Sequence, residues 1–243
     1  MSYFTLKNGE KLYYEDIGRG PKTLVMMHGW TSNHEVYKEP AAILQQKARC
    51  VIYDHRGHGG SKEANREKPT METLAGDLNE IIQGLALSDV TLLGWSMGAG
   101  VALTYARLFG CGALRQIILC DMTPKQLNDE DWKLGLYQGT YTKADMERDA
   151  GKDFYTLYKA FAIGAVPKLG KIPGFLLRKP LKEKLADCDE IRPEKPLCFH
   201  ESAGQPGYGG HDYRAADVFL CRSRFPVQPK TGGLVWGTRE HAV

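Results

Sequence analysis

Ser96 stands at the centre of Gly94-Trp95-Ser96-Met97-Gly98, a G-x-S-x-G spacing whose chemistry is nucleophilic attack on a carbonyl. The residues before it, Val90-Thr-Leu-Leu, are rich in β-formers, and a helical pattern starts just after it. Strand, sharp turn and helix are therefore expected in succession. The two glycines have a steric purpose. The turn holds Ser96 at positive φ, and the helix passes very close to the strand it has just left, where a Cβ at Gly94 or Gly98 would collide. The strain pushes the Ser96 hydroxyl out to the sheet's edge. The Met97 N–H, at the new helix N-terminus, then points at the space above it, which is half of a device for holding an oxyanion. The spacing alone also fits a glycine-rich loop with a solvent-facing serine, so the surrounding elements decide.

Those elements alternate. Tyr3 to Lys7 and Lys11 to Ile17 read as two strands joined at Asn8-Gly9, a strong hairpin signal. Thr23 to Met27 and Arg49 to Tyr53 are continuous apolar runs and read as buried central strands. Between them residues 35–46 form a plausible helix, weakened by Pro40. Thr70 can cap a helix whose apolar face is Met71, Leu74, Leu78, Ile81, Ile82 and Leu85. After Ser96, Ala99, Ala102 and Ala106 allow close packing on a sheet, and Arg115 to Cys120 is a further buried strand. This order predicts right-handed crossovers and a mostly parallel sheet covered on both faces. Ligands bind at the C-terminal ends of such strands, where Trp30, Asp54, Ser96 and Asp121 all fall.

Size and composition narrow the class. A chain of 243 residues suits one α/β domain with an inserted cap. Lys and Arg number 32 against 29 for Asp and Glu, so no nucleic acid or membrane partner is expected. The N-terminus lacks the pattern of a secretory signal, and no apolar run approaches a membrane span. Cys50, Cys111, Cys120, Cys188, Cys198 and Cys221 show no C-x-x-C spacing, and a reduced, cytoplasmic protein is expected. No His, Cys and carboxylate cluster has metal-ligand spacing, so neither metal nor organic cofactor is implied.

Three motifs together resemble the α/β-hydrolase superfamily, in its small bacterial esterase-like branch. They are His28-Gly29-Trp30, then Asp54-x-Arg56-Gly57-x-Gly59-x-Ser61, then Gly94-x-Ser96-x-Gly98, and Asp121-Met-Thr-Pro124 stands where that branch has a similar acidic turn. The resemblance covers residues 1–124. It implies an α/β-hydrolase fold with a helical cap and a Ser96 nucleophile, with the Met97 and Trp30 N–H groups as oxyanion donors. Serine at the turn argues against the family's dehalogenases and epoxide hydrolases, which use a carboxylate there. His28 and Gly29 read as structural, the glycine admitting the loop to Ser96 and the imidazole pinning it. Asp54, Arg56 and His58 read as a hydrogen-bonded brace of their turn. Asp121 is a second candidate acid or the cap of a following helix, the latter being preferred.

The layout expected is a core over 1–124, a helical cap insertion over 125–210 and the remainder of the core over 211–243. In the cap, aromatic and apolar residues from Leu134 to Phe161 serve the cap's own core, some of them walling an apolar acyl or alkyl group. The basic run Lys168, Lys171, Arg178, Lys179, Lys182 and Lys184 reads as a solvated face, not a phosphate or lipid site. From Arg192 onward Gly and Pro punctuate a stretch with little periodicity, and only Leu234-Val-Trp236 resembles a strand. Gly237 to Val243 resembles the family turn that carries the triad acid, with Glu240 at the acidic position. The family would continue through a strand, a loop bearing the catalytic His and a final helix. The sequence has no such segment, which leads to the expectation of a truncated or partly scrambled C-terminal region, from a frameshift or gene-model error. His211, after Gly209-Gly210, is a candidate substitute base; His241 adjoins Glu240, and His200 has no supporting context.

The function expected is a serine hydrolase, carboxylesterase-like, acting on small-molecule apolar esters and impaired by the absent His. Two alternatives stay open: a non-catalytic or degenerate hydrolase-fold binding protein, and a cofactor-free perhydrolase using the same residues with peroxide. Oligomeric state is not legible.

Overall fold

The computed structural model describes residues 2–66, 69–185 and 217–221. A hairpin opens the chain, β1 (Ser2–Thr5) and β2 (Lys11–Ile17), with Gly9 in the turn at φ +84°. Four strands follow in the expected places: β3 (Lys22–Met27), β4 (Ala48–Tyr53), β5 (Val90–Trp95) and β6 (Leu114–Cys120). A seventh, β7 (Asp217–Cys221), lies beside β6. The order across the sheet is β1-β2-β4-β3-β5-β6-β7. The pairs β1–β2 and β2–β4 are antiparallel and the rest parallel.

Both faces of the sheet are covered, and the pleat shows it. Val25, Met27, Val51 and Tyr53 belong to one apolar core, with residues of α2 (Met71–Gly84) and α3 (Met97–Phe109). Their neighbours Leu24, Met26, Cys50 and Ile52 belong to a second core, with Tyr37 and with Ala41 of α1 (Lys38–Leu44). Period-two alternation over continuous apolar runs is what a sheet buried on both sides requires.

The first helix differs from its predicted extent. A 3-10 turn, His34–Tyr37, precedes α1, so Pro40 falls in the first turn of the helix, where its missing N–H removes no intrahelical bond. In α2 the cap is as expected, the Thr70 hydroxyl accepting from the Thr73 N–H at 3.2 Å. After β6 no helix starts at Asp121. Residues 122–135 instead form a bonded loop around Asn128, which donates to the Leu136 and Tyr141 carbonyls and accepts from the Gly135 N–H. Then come α4 (Leu136–Gly139), α5 (Lys143–Ala150), α6 (Phe154–Ala165) and α7 (Gly174–Leu185). Their starts have local chemistry: Thr142 and Asp145 form a capping box, and Asp153 accepts from the Thr156 N–H.

One buried ionic network ties the hairpin, the loop after β4 and α2 together. The Arg56 guanidinium, only 1% exposed, donates twice to Asp77, at 2.6 and 2.7 Å, and once to Glu10 at 2.7 Å. Its partners lie 21 and 46 residues away in sequence. Removing one member of such a network leaves charge uncompensated in the interior. Arg56→Met is therefore expected to lower unfolding stability by about 3–5 kcal/mol in urea denaturation at pH 7. A loss below about 1 kcal/mol would contradict this role.

Candidate active site

Register brings the strand ends together. Met27 lies opposite both Tyr53 and Gly94, and Trp95 lies opposite Cys120. The loops that begin at His28, Asp54, Ser96 and Asp121 therefore leave the sheet along one rim. The chain runs from β3 to β4 on one side, and β5 then lies on the other side of β3, so the strand order reverses at β3. A crevice opens at such a reversal, flanked here by the end of β3 and the end of β5.

At the end of β5 the bend is as the spacing predicts. Ser96 has φ +52° and ψ −115°, and α3 begins at the next residue. A Cβ on Gly98 would stand 2.2 Å from the Met27 carbonyl oxygen, and one on Gly94 would stand 2.4 Å from the Ala99 nitrogen. The main chain of Ser96 is held on both sides. Its N–H donates to the Cys120 carbonyl at 2.9 Å, and its carbonyl accepts from Ala99 at 2.9 Å and Gly100 at 3.3 Å. Its side chain is half-buried, and among the described residues no side chain hydrogen-bonds to it. The Met97 N–H is the first of α3 and has no acceptor within the helix.

The loop after β3 comes directly against this bend. A Cβ on Gly29 would lie 3.3 Å from Ser96 Cβ and 3.2 Å from the Trp95 ring. Residues 29–32 make a tight turn, the Ser32 N–H donating to the Gly29 carbonyl, with Thr31 at φ +59°. Asp121, exposed at the end of β6, has φ +54°. Three non-glycine residues in the left-handed region thus stand along one rim, each position costing of the order of 1–3 kcal/mol. The Trp30 ring packs edge-on against α6, with ring centroids 5.7, 6.0 and 5.4 Å from Phe154, Tyr158 and Phe161.

Histidines hold the loops behind this crevice. His28 is fully buried; its Nδ1–H donates to the Gly29 carbonyl at 2.8 Å, and its Nε2 accepts from the His55 N–H at 3.0 Å. Both nitrogens are used, so the ring is neutral and pins the two loops together. Asp54 receives the His34 N–H at 2.6 Å, the His34 ring at 2.8 Å and the Gly60 N–H at 2.7 Å. Burial pushes its carboxyl up, against these donors. His58 Nδ1 bonds to the Arg56 carbonyl at 3.0 Å. Asp54, Arg56 and His58 are thus a brace of their turn. His34 went unremarked in the sequence because its partner is 20 residues away and no local pattern marks it. Glu240, His200, His211, His241 and the Leu234 to Trp236 stretch lie outside the described residues.

A family model described as the alpha/beta hydrolase fold matches residues 22–157. Non-heme chloroperoxidase CPO-A1 of Kitasatospora aureofaciens is 33% identical over 132 residues, 54% of this chain and 47% of that protein. A pimeloyl-acyl-carrier-protein methyl ester esterase of Nitrosospira multiformis is 32% identical over 197 residues, 80% of this chain and 67% of its own. The chain spans about half to two thirds of the length of these curated relatives. Among solved structures, the esterase EaEST of Exiguobacterium antarcticum superposes with a TM-score of 0.64 at 25% identity, covering 90% of this chain and 79% of that one.

The imidazole cluster makes a pH prediction. His28, His55 and His58 pack with ring centroids 4.5 to 6.5 Å apart. Burial lowers His28 well below the ordinary value, His55 to about 3 and His58 to about 4, with mutual repulsion adding to the first two. The unfolded chain protonates these rings near pH 6.5 while the folded chain does not, so stability is full above pH 6.5 and falls as pH drops toward 4. Each ring contributes up to about 1.4 kcal/mol per pH unit. Urea unfolding between pH 7.5 and 5 should show this loss, with a shallower slope in His58→Gln. A stability flat over that range would contradict neutral burial.

Proposed function

Because the chain belongs to the α/β-hydrolase family, we propose that it is a serine hydrolase acting on small carboxylic esters with a modest apolar acyl or alkyl group. The observation that carries this reading is the strained Ser96 bend facing the Gly29–Trp30 loop. In the reaction the Ser96 hydroxyl oxygen attacks the ester carbonyl carbon and its proton passes to a base. The carbonyl oxygen becomes an oxyanion, held by the Met97 N–H and the Trp30 N–H. Collapse of that intermediate expels the alcohol, which takes up the proton, and water releases the acid by the same route. The base on this reading is an imidazole outside the described residues, oriented by an acid for which Glu240 and Asp121 are the candidates. Trp30, Met122, Leu136, Phe154 and Leu157, packed together beside the crevice, offer the apolar contact for the substrate.

Two relatives support an ester: one is named a methyl ester esterase, and a solved neighbour is an esterase. A relative named a chloroperoxidase favours a second reading, in which the acyl-serine is attacked by peroxide rather than water. That reading uses the same residues and no cofactor.

The test is cleavage of p-nitrophenyl butyrate by the full chain beside Ser96→Ala. Cleavage above buffer that falls at least about 10³-fold in the variant is expected, together with fluorophosphonate labelling of Ser96. Equal, near-background rates and no labelling would overturn the hydrolase reading. A rise in peracid formation with added peroxide, exceeding hydrolysis, would select the second.

A further inference from the structure

We infer that the outer face of α7 and the turn before it form a docking surface for an anionic lipid bilayer, which Phe175 and Leu176 enter. The inference stands on this face alone and does not depend on the chemistry of Ser96.

Helix α7 has two unlike sides. Leu177, Leu181 and Leu185 are buried at i, i+4 and i+8 and pack beside Tyr158 of α6. On the opposite side Phe175, Lys179 and Lys182 recur at i, i+4 and i+7, with Leu176 alongside. Phe175 is 77% exposed and Leu176 55%, and Ile172 just before the helix is 39% exposed. A solvated basic face accounts for lysines, but not for a phenylalanine and a leucine standing side by side in water.

Charge points to the occupant. Lys168, Lys171, Arg178, Lys179, Lys182 and Lys184 are all exposed, and Glu183 is the one acid between residues 166 and 185. That local excess is larger than the net +3 of the whole chain. Five of the six cations are lysines. Protein interfaces are depleted in lysine and favour arginine with planar, bidentate partners. Lysines such as Lys179 and Lys182 on the same helix face as an exposed Phe and Leu are the pattern of a helix lying in the headgroup layer of an anionic membrane. The helix has 12 residues, too few to cross a bilayer, so attachment is at the surface.

The experiment is sedimentation of the full chain with sucrose-loaded vesicles, made either of phosphatidylcholine alone or of equal parts phosphatidylcholine and phosphatidylglycerol. Binding to the phosphatidylglycerol vesicles only, released by high salt, is expected. Phe175→Ser with Leu176→Ser should weaken it by about tenfold or more. Lys179→Glu with Lys182→Glu should weaken it further, at about fivefold for each lysine lost. Phe175→Trp should shift its emission to the blue on the anionic vesicles. These positions are exposed, and an unchanged thermal unfolding curve checks each variant. Equal binding to both vesicle types, or parental binding by the Phe175 and Leu176 double variant, would overturn the inference. So would tight binding to a polyglutamate peptide without binding to vesicles, which would mark the face as a site for an acidic protein.

Discussion

The close seat of α3 on β3 is the contact on which the rest depends. With hydrogen alone at Gly98, the first turn of the helix passes a Cβ's width from the Met27 carbonyl. That approach leaves no room for a gentle exit from β5, so the chain turns through one residue, and that residue takes positive φ. Ser96 is held there by bonds to its own helix and to β6, not by side-chain packing. The first helical N–H, that of Met97, follows directly on this bend.

A second constraint comes from the polar groups buried behind the rim. The loops after β3 and β4 carry few apolar side chains, so they are fixed by hydrogen bonds made in a dry interior. His28 spans them as donor on one side and acceptor on the other. Asp54 gathers three donors, and Arg56 is matched by two carboxylates. Buried charges are tolerated there because they are paired, and the buried imidazoles because they are neutral. Trp30 extends this arrangement outward, because its ring is the platform on which α6 rests. The helices after β6 are therefore docked on the same loop that approaches Ser96.

Much of this was legible in the residues. Asn8-Gly9 marks the hairpin, apolar runs mark β3 to β6, and the face of α2 is readable at period 3.6. Pro40 argued against a helix only until the chain restarted its helix at Lys38. In β7 the apolar run Val218 to Cys221 is too short for periodicity to tell strand from helix, and pairing with β6 makes it a strand. Asp121, at a strand end, has the sequence position of a helix cap, yet Asn128 organises the segment that follows. The capping pairs at Thr142 and Asp153 were present in the sequence and are local enough to have been found.

By itself the sequence determined what depends on neighbours along the chain: the alternation of strands and helices, the glycines at the bend, and so the strained position of Ser96. Tertiary structure alone decided what depends on residues far apart. It placed Gly29 against Ser96, gave Arg56 its carboxylates, made His34 the partner of Asp54, and set Phe175 outside rather than in a core. Local geometry follows from steric rules over a few residues, whereas burial and counter-charge exist only once distant segments have met.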